Sequence, residues 1–149
     1  MRETITVKVK KLDPRAKMPV YGSELAAGMD LYACMDESVT IRPGETVMIP
    51  TRLAMEIPPG YAGLVCARSG LSVKRGLAPA NKVGVIDADY RGEILIALYN
   101  QSADNQIIED GERVAQMIIT PVPAVELEEA EELNDSVRGT GGFGSTGIR

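Results

Sequence analysis

The chain has 149 residues, the size of one compact domain. Sixteen basic against 21 acidic residues give a net charge of −5, without the basic excess of a nucleic-acid-binding domain, and no apolar run approaches the roughly 18 residues of a membrane span. Histidine is absent, so no imidazole can act as a general base, complete a nucleophilic triad or ligate zinc; proton abstraction near neutral pH falls to Asp or Glu, less often to Lys, Tyr or Cys, and any metal is expected to be a hard, oxygen-liganded cation such as Mg²⁺.

The amino terminus, MRETITVKVKKL, has no apolar stretch of the signal-peptide kind, and the short lead-in before residue 4 argues against organelle targeting, so a cytoplasmic location is expected. TITVKVK (4–10) alternates Ile5, Val7 and Val9 with Thr6, Lys8 and Lys10, the pattern of a half-buried strand. AAGMDLYA (26–33) sets Asp30 among apolar residues, where a carboxylate needs a partner. SVTIRPGETVMIPTRLAMEIPPG (38–60) predicts two or three strands punctuated by Pro43-Gly44 and Pro58-Pro59-Gly60, and YAGLVCA (61–67) another. Residues 70–77 are expected to form one short helix.

KVGVID (82–87) and EILIALYN (93–100) flank the turn ADYRG and read as a β-hairpin. Ile94 to Leu98 is continuously apolar, as in a strand covered on both faces. RVAQMIITPVPAV (113–125) is a further strand broken by Pro121 and Pro123, which argue against a helix. ELEEAEELN (126–134) is helical by propensity, but its cluster of acids fits a solvated edge or linker. Cys34 and Cys66 stand outside any CxxC pair and read as free thiols in a reducing cytosol. SVRGTGGFGSTGIR (136–149) has five glycines and little to bury, so on its own it should be disordered. The sum is an all-β sandwich or barrel with Greek-key or jelly-roll connections over 1–134, one short helix, and a flexible arm over 135–149.

Three segments could carry chemistry. ANKVGVIDADYRGE (80–93) gathers three carboxylates, a tyrosine, an arginine and an asparagine around one turn. Asp and Gly favour turns with no function attached. Read as a pocket instead, Asn81 and nearby backbone pair with a polar planar ligand, Tyr90 packs on a ring, and Asp87 is a partly buried base. In CARSGLSVKRG (66–76), Arg68, Ser69 and Gly70 follow a strand; a capped helix start and a phosphate cradle both fit, although no P-loop pattern occurs in the chain. In the tail, Arg138, Ser145 and Thr146 lie in a glycine-rich run suited to wrapping a phosphate. Phe143, the single Phe, has no evident folding role there and suits a stacking plate over a base. GERVAQM (111–117) adds Arg113 and Gln116 near the start of a strand.

In order and spacing, AGMDLYA (27–33), RSGL (68–71), NKVGVIDADYRGE (81–93), GERVAQM (111–117) and RGTGGFGSTG (138–147) resemble the five motifs of the homotrimeric dUTPases, over nearly the whole chain. The resemblance implies a jelly-roll-like subunit in a homotrimer, with active sites between subunits and the arm of one subunit reaching over a site formed by the other two. It implies hydrolysis of dUTP to dUMP and pyrophosphate by water attacking the α-phosphorus, which limits uracil incorporation into DNA and supplies dUMP for dTTP synthesis.

By the same resemblance Asp87 activates the water, and Asp30 holds, through water, a Mg²⁺ chelated by the triphosphate. Arg68, Ser69, Gly70 and Gln116 contact phosphates. Asn81 and the backbone at Gly84 read uracil, and Tyr90 lies under the deoxyribose. Arg138, Phe143, Gly144, Ser145 and Thr146 belong to the arm over the γ-phosphate and base. Partners other than the substrate and sibling subunits are not expected: no nucleic acid and no membrane. The alternatives are dCTP deaminase or its bifunctional relative, which share the fold, and a non-catalytic trimeric β module.

Overall fold

The computed structural model describes residues 3–145 and 147; Thr146, alone among the candidate site residues, lies outside that set. The alternation at the amino terminus is real. Ile5, Val7 and Val9 are half-buried and their neighbours exposed, but only the last part joins a ladder, as β1 (Lys8–Lys11). Next come β2 (Val20–Tyr21) and β3 (Met29–Tyr32). Residues 38–60 give two strands, β4 (Val39–Ile41) and the long β5 (Thr46–Glu56), followed by β6 (Tyr61–Cys66). The short helix is α1 (Ser69–Arg75). Gly76 ends it at φ +65, left-handed backbone that favours glycine, and its N–H returns to the Leu71 and Ser72 carbonyls. Five strands complete the chain: β7 (Leu77–Pro79), β8 (Gly84–Ile86), β9 (Glu93–Asn100), β10 (Gln106–Ile108) and β11 (Arg113–Pro121).

Two antiparallel sheets face each other, in the orders β1-β5-β9-β7 and β2-β3-β11-β6-β8, with a small β10-β4 ribbon beside them. With so few aromatics the core has to be aliphatic, and it is. Ile49, Leu53, Ile94, Ile96 and Leu98 from one sheet meet Leu31, Val65, Val114 and Met117 from the other. β5 carries extra residues between Pro50 and Ala54 relative to β9, and Arg52 sits there at φ +55. The buried Thr51 hydroxyl stabilises this bulge by donating to the Ile94 carbonyl at 2.6 Å.

Three expectations are corrected. β8 and β9 do not form a hairpin: β8 pairs with β6, whereas β9 lies between β5 and β7 in the other sheet. ADYRG is therefore a corner between sheets. β9 places Ile94, Ile96 and Leu98 in the core and takes neighbours on both sides, while three-residue β8 is an edge. β9 is also covered on only one face, because Leu95 is 43% exposed. Cross-strand from Leu95 is Pro50, and the neighbouring pair is exposed Met48 with Ala97, so an apolar stripe faces outward. Finally, 126–134 forms no helix and every residue is exposed. With acids at helical i,i+3 and i,i+4 spacing and no packed face, propensity alone does not hold a helix.

Both cysteines are free. Among the described residues no helix is long and apolar enough to cross a membrane.

Candidate active site

Strand order brings three of the polar segments together. β11 lies between β3 and β6, so Asp30, Gln116 and Cys66 are side by side in register. Asp30 is buried and has the partners its surroundings demand: Arg68 Nε donates to Oδ1 at 2.8 Å, and Arg113 Nη1 donates to Oδ2 at 3.2 Å. Arg68 Nη1 also reaches the Arg113 carbonyl at 3.4 Å. Gln116 Nε2 donates to the Ala67 carbonyl at 2.9 Å, and its amide packs so closely on Gly28 that a Cβ there would lie 2.5 Å from Oε1. Two guanidiniums around one carboxylate leave a local positive excess, which suits an anion despite the acidic chain.

Arg68 is also the residue before α1, in extended conformation (φ −94, ψ 129), with no acidic residue in the first helical turn. Ser69 and Gly70 follow it, exposed. The arrangement is an open edge where hydroxyl, backbone and guanidinium can meet phosphate oxygens.

The third segment is divided along β8: Gly84 lies near the end of β6, and only the Asp87 end stands apart. Gly84 pairs with Val65 and Ile86 with Gly63. Asn81 folds over the bare backbone of Gly84, its Nδ2 being 3.2 Å from where a Cβ would be. Because β8 runs antiparallel to β6, Asp87 leaves toward the start of β6 while Arg68 follows its end. The offset is about six strand residues, roughly 20 Å along the sheet.

Asp87 is exposed, which corrects the expectation of a partly buried base; its side chain has no hydrogen bond or ion pair among the described residues. Its carbonyl accepts from Tyr90 N–H at 3.1 Å, closing the turn. Tyr90 is 41% exposed, and its hydroxyl donates to the Glu93 carbonyl at 3.0 Å. Arg91 Nη1 donates to the Ala88 carbonyl at 2.6 Å.

The arm makes no hydrogen bond to the body of its own chain among the described residues. Arg138 Nε donates to the Gly141 carbonyl at 2.6 Å, and Ser145 N–H to the Gly142 carbonyl at 3.1 Å. Phe143 is fully exposed, at φ +51, and Gly144 follows it at φ +88.

Two grooves on the single chain hold neither group. One of about 600 Å³ lies between Lys8, Glu56, Pro58 and the Ala88–Arg91 turn. The other, about 690 Å³, is lined largely by the amino-terminal segment and the methionines Met18, Met29, Met55 and Met117. Asp30, Arg68, Asn81 and Asp87 line neither.

Among the described residues no three acidic or cysteine side chains converge as a metal cage. The donor set nevertheless fits Mg²⁺. This ion keeps several waters and takes one or two carboxylates together with substrate phosphates, and each Asp30 oxygen retains a lone pair beyond its arginine bond.

Sequence reasoning missed the Asp30–Arg113 pair and the close packing at Gly28 and Gly92. An arginine beside an inward strand position was the available signal for the first; the glycines gave none beyond their presence next to polar residues.

A family model described as dUTPase matches residues 14–147. The chain is 48% identical over 146 residues to the deoxyuridine 5'-triphosphate nucleotidohydrolase of Syntrophotalea carbinolica, covering 98% of this chain and 99% of that protein. It is 50% identical over 148 residues to the protein of the same name from Desulfitobacterium hafniense strain DCB-2, covering 96% and 98%. Among solved structures it is similar to a variant dUTPase of Staphylococcus bacteriophage 80alpha with dUpNHpp, at TM-score 0.88 and 34% identity over 97% of this chain and 100% of that one. It is also similar to a variant dUTPase of S. aureus phage phi11, described with a structural Mg(II) ion, at TM-score 0.76 and 30% identity over 86% and 98%. With the fold, the five segments and these relatives in agreement, the chain belongs to the dUTPase family.

Proposed function

We propose that the chain is a dUTP diphosphatase whose active site is shared between copies of itself. The observation that carries this reading is the division of its polar residues: Asp30, Arg68 and Gln116 gather at the end of β6, and Asp87 leaves toward its start. One chain cannot bring both groups to one phosphate. A second copy can supply Asp87, Asn81 and Tyr90 beside the first copy's arginines, and a third can supply the arm. The exposed apolar stripe of Met48 and Leu95 is surface that such a homotrimer has reason to cover.

In this assembly Arg68, Ser69, Gly70 and Gln116 hold the phosphates. Asn81 and the backbone at Gly84 read uracil in a pocket too tight for thymine's methyl group. Tyr90 lies under the deoxyribose and excludes a 2′-hydroxyl. Asp87 takes a proton from water as the oxygen bonds to the α-phosphorus; the bond from that phosphorus to the bridging oxygen breaks, and its electron pair leaves with pyrophosphate. Bound Mg²⁺, held by Asp30 through water, would supply charge neutralisation for the triphosphate. The arm, with Arg138, Phe143, Gly144, Ser145 and Thr146, closes over the γ-phosphate and the base as a lid that orders on substrate. The cytoplasm, where free thiols persist, is the fitting compartment.

The end of β8 carries an aspartate rather than the glutamate base a deaminase needs, so no feature of the site favours that alternative. Pyrophosphate release measured side by side on dUTP, dTTP, dCTP and UTP with Mg²⁺ tests the reading. Release from dUTP far above the other three is expected; ammonia from dCTP, or no pyrophosphate from dUTP, would overturn it.

A further inference from the structure

The Tyr90 ring is folded back against the backbone of Gly92. A Cβ on residue 92 would lie 2.4 Å from the Tyr90 hydroxyl oxygen, 2.6 Å from Cζ and 3.1 Å from Cε1. The first two distances are shorter than real Cβ contacts, so the Tyr90 ring would have to shift. Gly92 is exposed, and unlike Gly76 its φ is outside the left-handed region, so the backbone itself would accept any L residue. No other atom comes among its three nearest neighbours. The Tyr90 ring is therefore what a side chain at 92 would meet, and only a bare backbone there leaves the ring in this seat.

The rest of the ring's seat is equally specific. The Tyr90 hydroxyl donates to the Glu93 carbonyl at 3.0 Å. Glu93 is the first residue of β9 and pairs with Ala54 of β5, so the acceptor belongs to a fixed strand. At the other end, Tyr90 N–H is tied to the Asp87 carbonyl at 3.1 Å. The ring is thus held at its root by the turn, at its tip by β9, and along one edge by bare backbone. A steric test for one extra oxygen on a sugar depends on a ring that does not give way.

We propose that Gly92 is a specificity-determining position: by leaving its backbone bare it lets Tyr90 seat against β9, and that seat sets how strictly the site rejects a ribonucleotide. This rests on the reading of Tyr90 as the residue under the deoxyribose. An alanine at 92 pushes the ring outward and breaks the hydroxyl bond to Glu93. Because the displaced atoms belong to an exposed side chain and not to the core, the fold persists.

The test uses the full-length chain and reads kcat/KM for dUTP and UTP, with thermal unfolding alongside. Gly92→Ala should lower the dUTP-over-UTP ratio about tenfold, with a nearly unchanged Tm. Tyr90→Phe, which keeps the ring and loses its tether, should lower the ratio about threefold. In a Tyr90→Ala background, Gly92→Ala should change the ratio no further. If Tyr90→Ala lowers the ratio and Gly92→Ala does not, the inference fails while the reading of Tyr90 stands. If Tyr90→Ala leaves the ratio unchanged, the reading of Tyr90 fails and the inference with it. A further drop on adding Gly92→Ala to Tyr90→Ala would mean that Gly92 acts on something else. Should Gly92→Ala not fold, an unchanged ratio in Tyr90→Phe would still overturn the seat.

Discussion

Asp30 and Arg68 meet at 2.8 Å across 38 residues of sequence, and Arg113 closes on the same carboxylate from the adjacent strand β11. The carboxylate is mostly shielded from water and the Arg68 guanidinium largely so, which separates this pair from the exposed ion pairs elsewhere on the chain. Removing the charge with Asp30→Asn leaves two guanidiniums facing each other without an anion. Stability should fall by about 2 kcal/mol, the scale of a lost charged hydrogen bond in a half-buried setting. Urea unfolding checks it; no change in midpoint would mean that the pair behaves as an ordinary surface contact.

The arm is the opposite case. Residues 136–145 are almost wholly exposed, and among the described residues their hydrogen bonds stay within the arm. Truncation before Arg138 should leave the thermal midpoint nearly unchanged while pyrophosphate release from dUTP drops severely. Full activity in the truncated chain would remove the arm from the mechanism.

How far the sequence could be read depended on whether the signal was local. Period-2 alternation at residues 5–10, glycine and proline punctuation and the helix start after Arg68 are local patterns, and each led to the observed element. Turn chemistry at ADYRG announces a change of direction without saying whether the strands on either side share a sheet; here they do not. The apolar run Ile94–Leu98 reads as a strand covered on both faces, but the run does not say which face is open, and Leu95 lies exposed on one of them. Asp30's need for a partner was legible, but the identity of that partner was not. Arg68 and Arg113 lie 38 and 83 residues away and arrive only through the order β3-β11-β6.

A separate electrostatic brace gives an acid-range prediction. Arg15 bonds the Asp13 side chain at 2.7 Å and 3.1 Å and Asp36 at 2.7 Å. The side-chain bond to Arg15, helped by the Arg15 backbone N–H, lowers the Asp13 pKa from 3.8 to about 2. A folded-state value below the unfolded one contributes stability that is present above about pH 4 and lost as pH falls toward 2. Asp13→Asn should therefore lower the thermal midpoint slightly at neutral pH, and the difference from the parent chain should vanish on acidification through that window. A difference that stays constant down to pH 2 would contradict the linkage.

The central claim is that Asp87, whose side chain has no hydrogen bond or ion pair among the described residues, is the base that activates water in an assembled site. The direct measurement is dUTP binding and pyrophosphate release by full-length Asp87→Asn. Turnover should fall at least ~10²-fold, while dUTP affinity stays within about threefold of the parent chain. Undiminished turnover, or binding lost in step with turnover, would contradict the account.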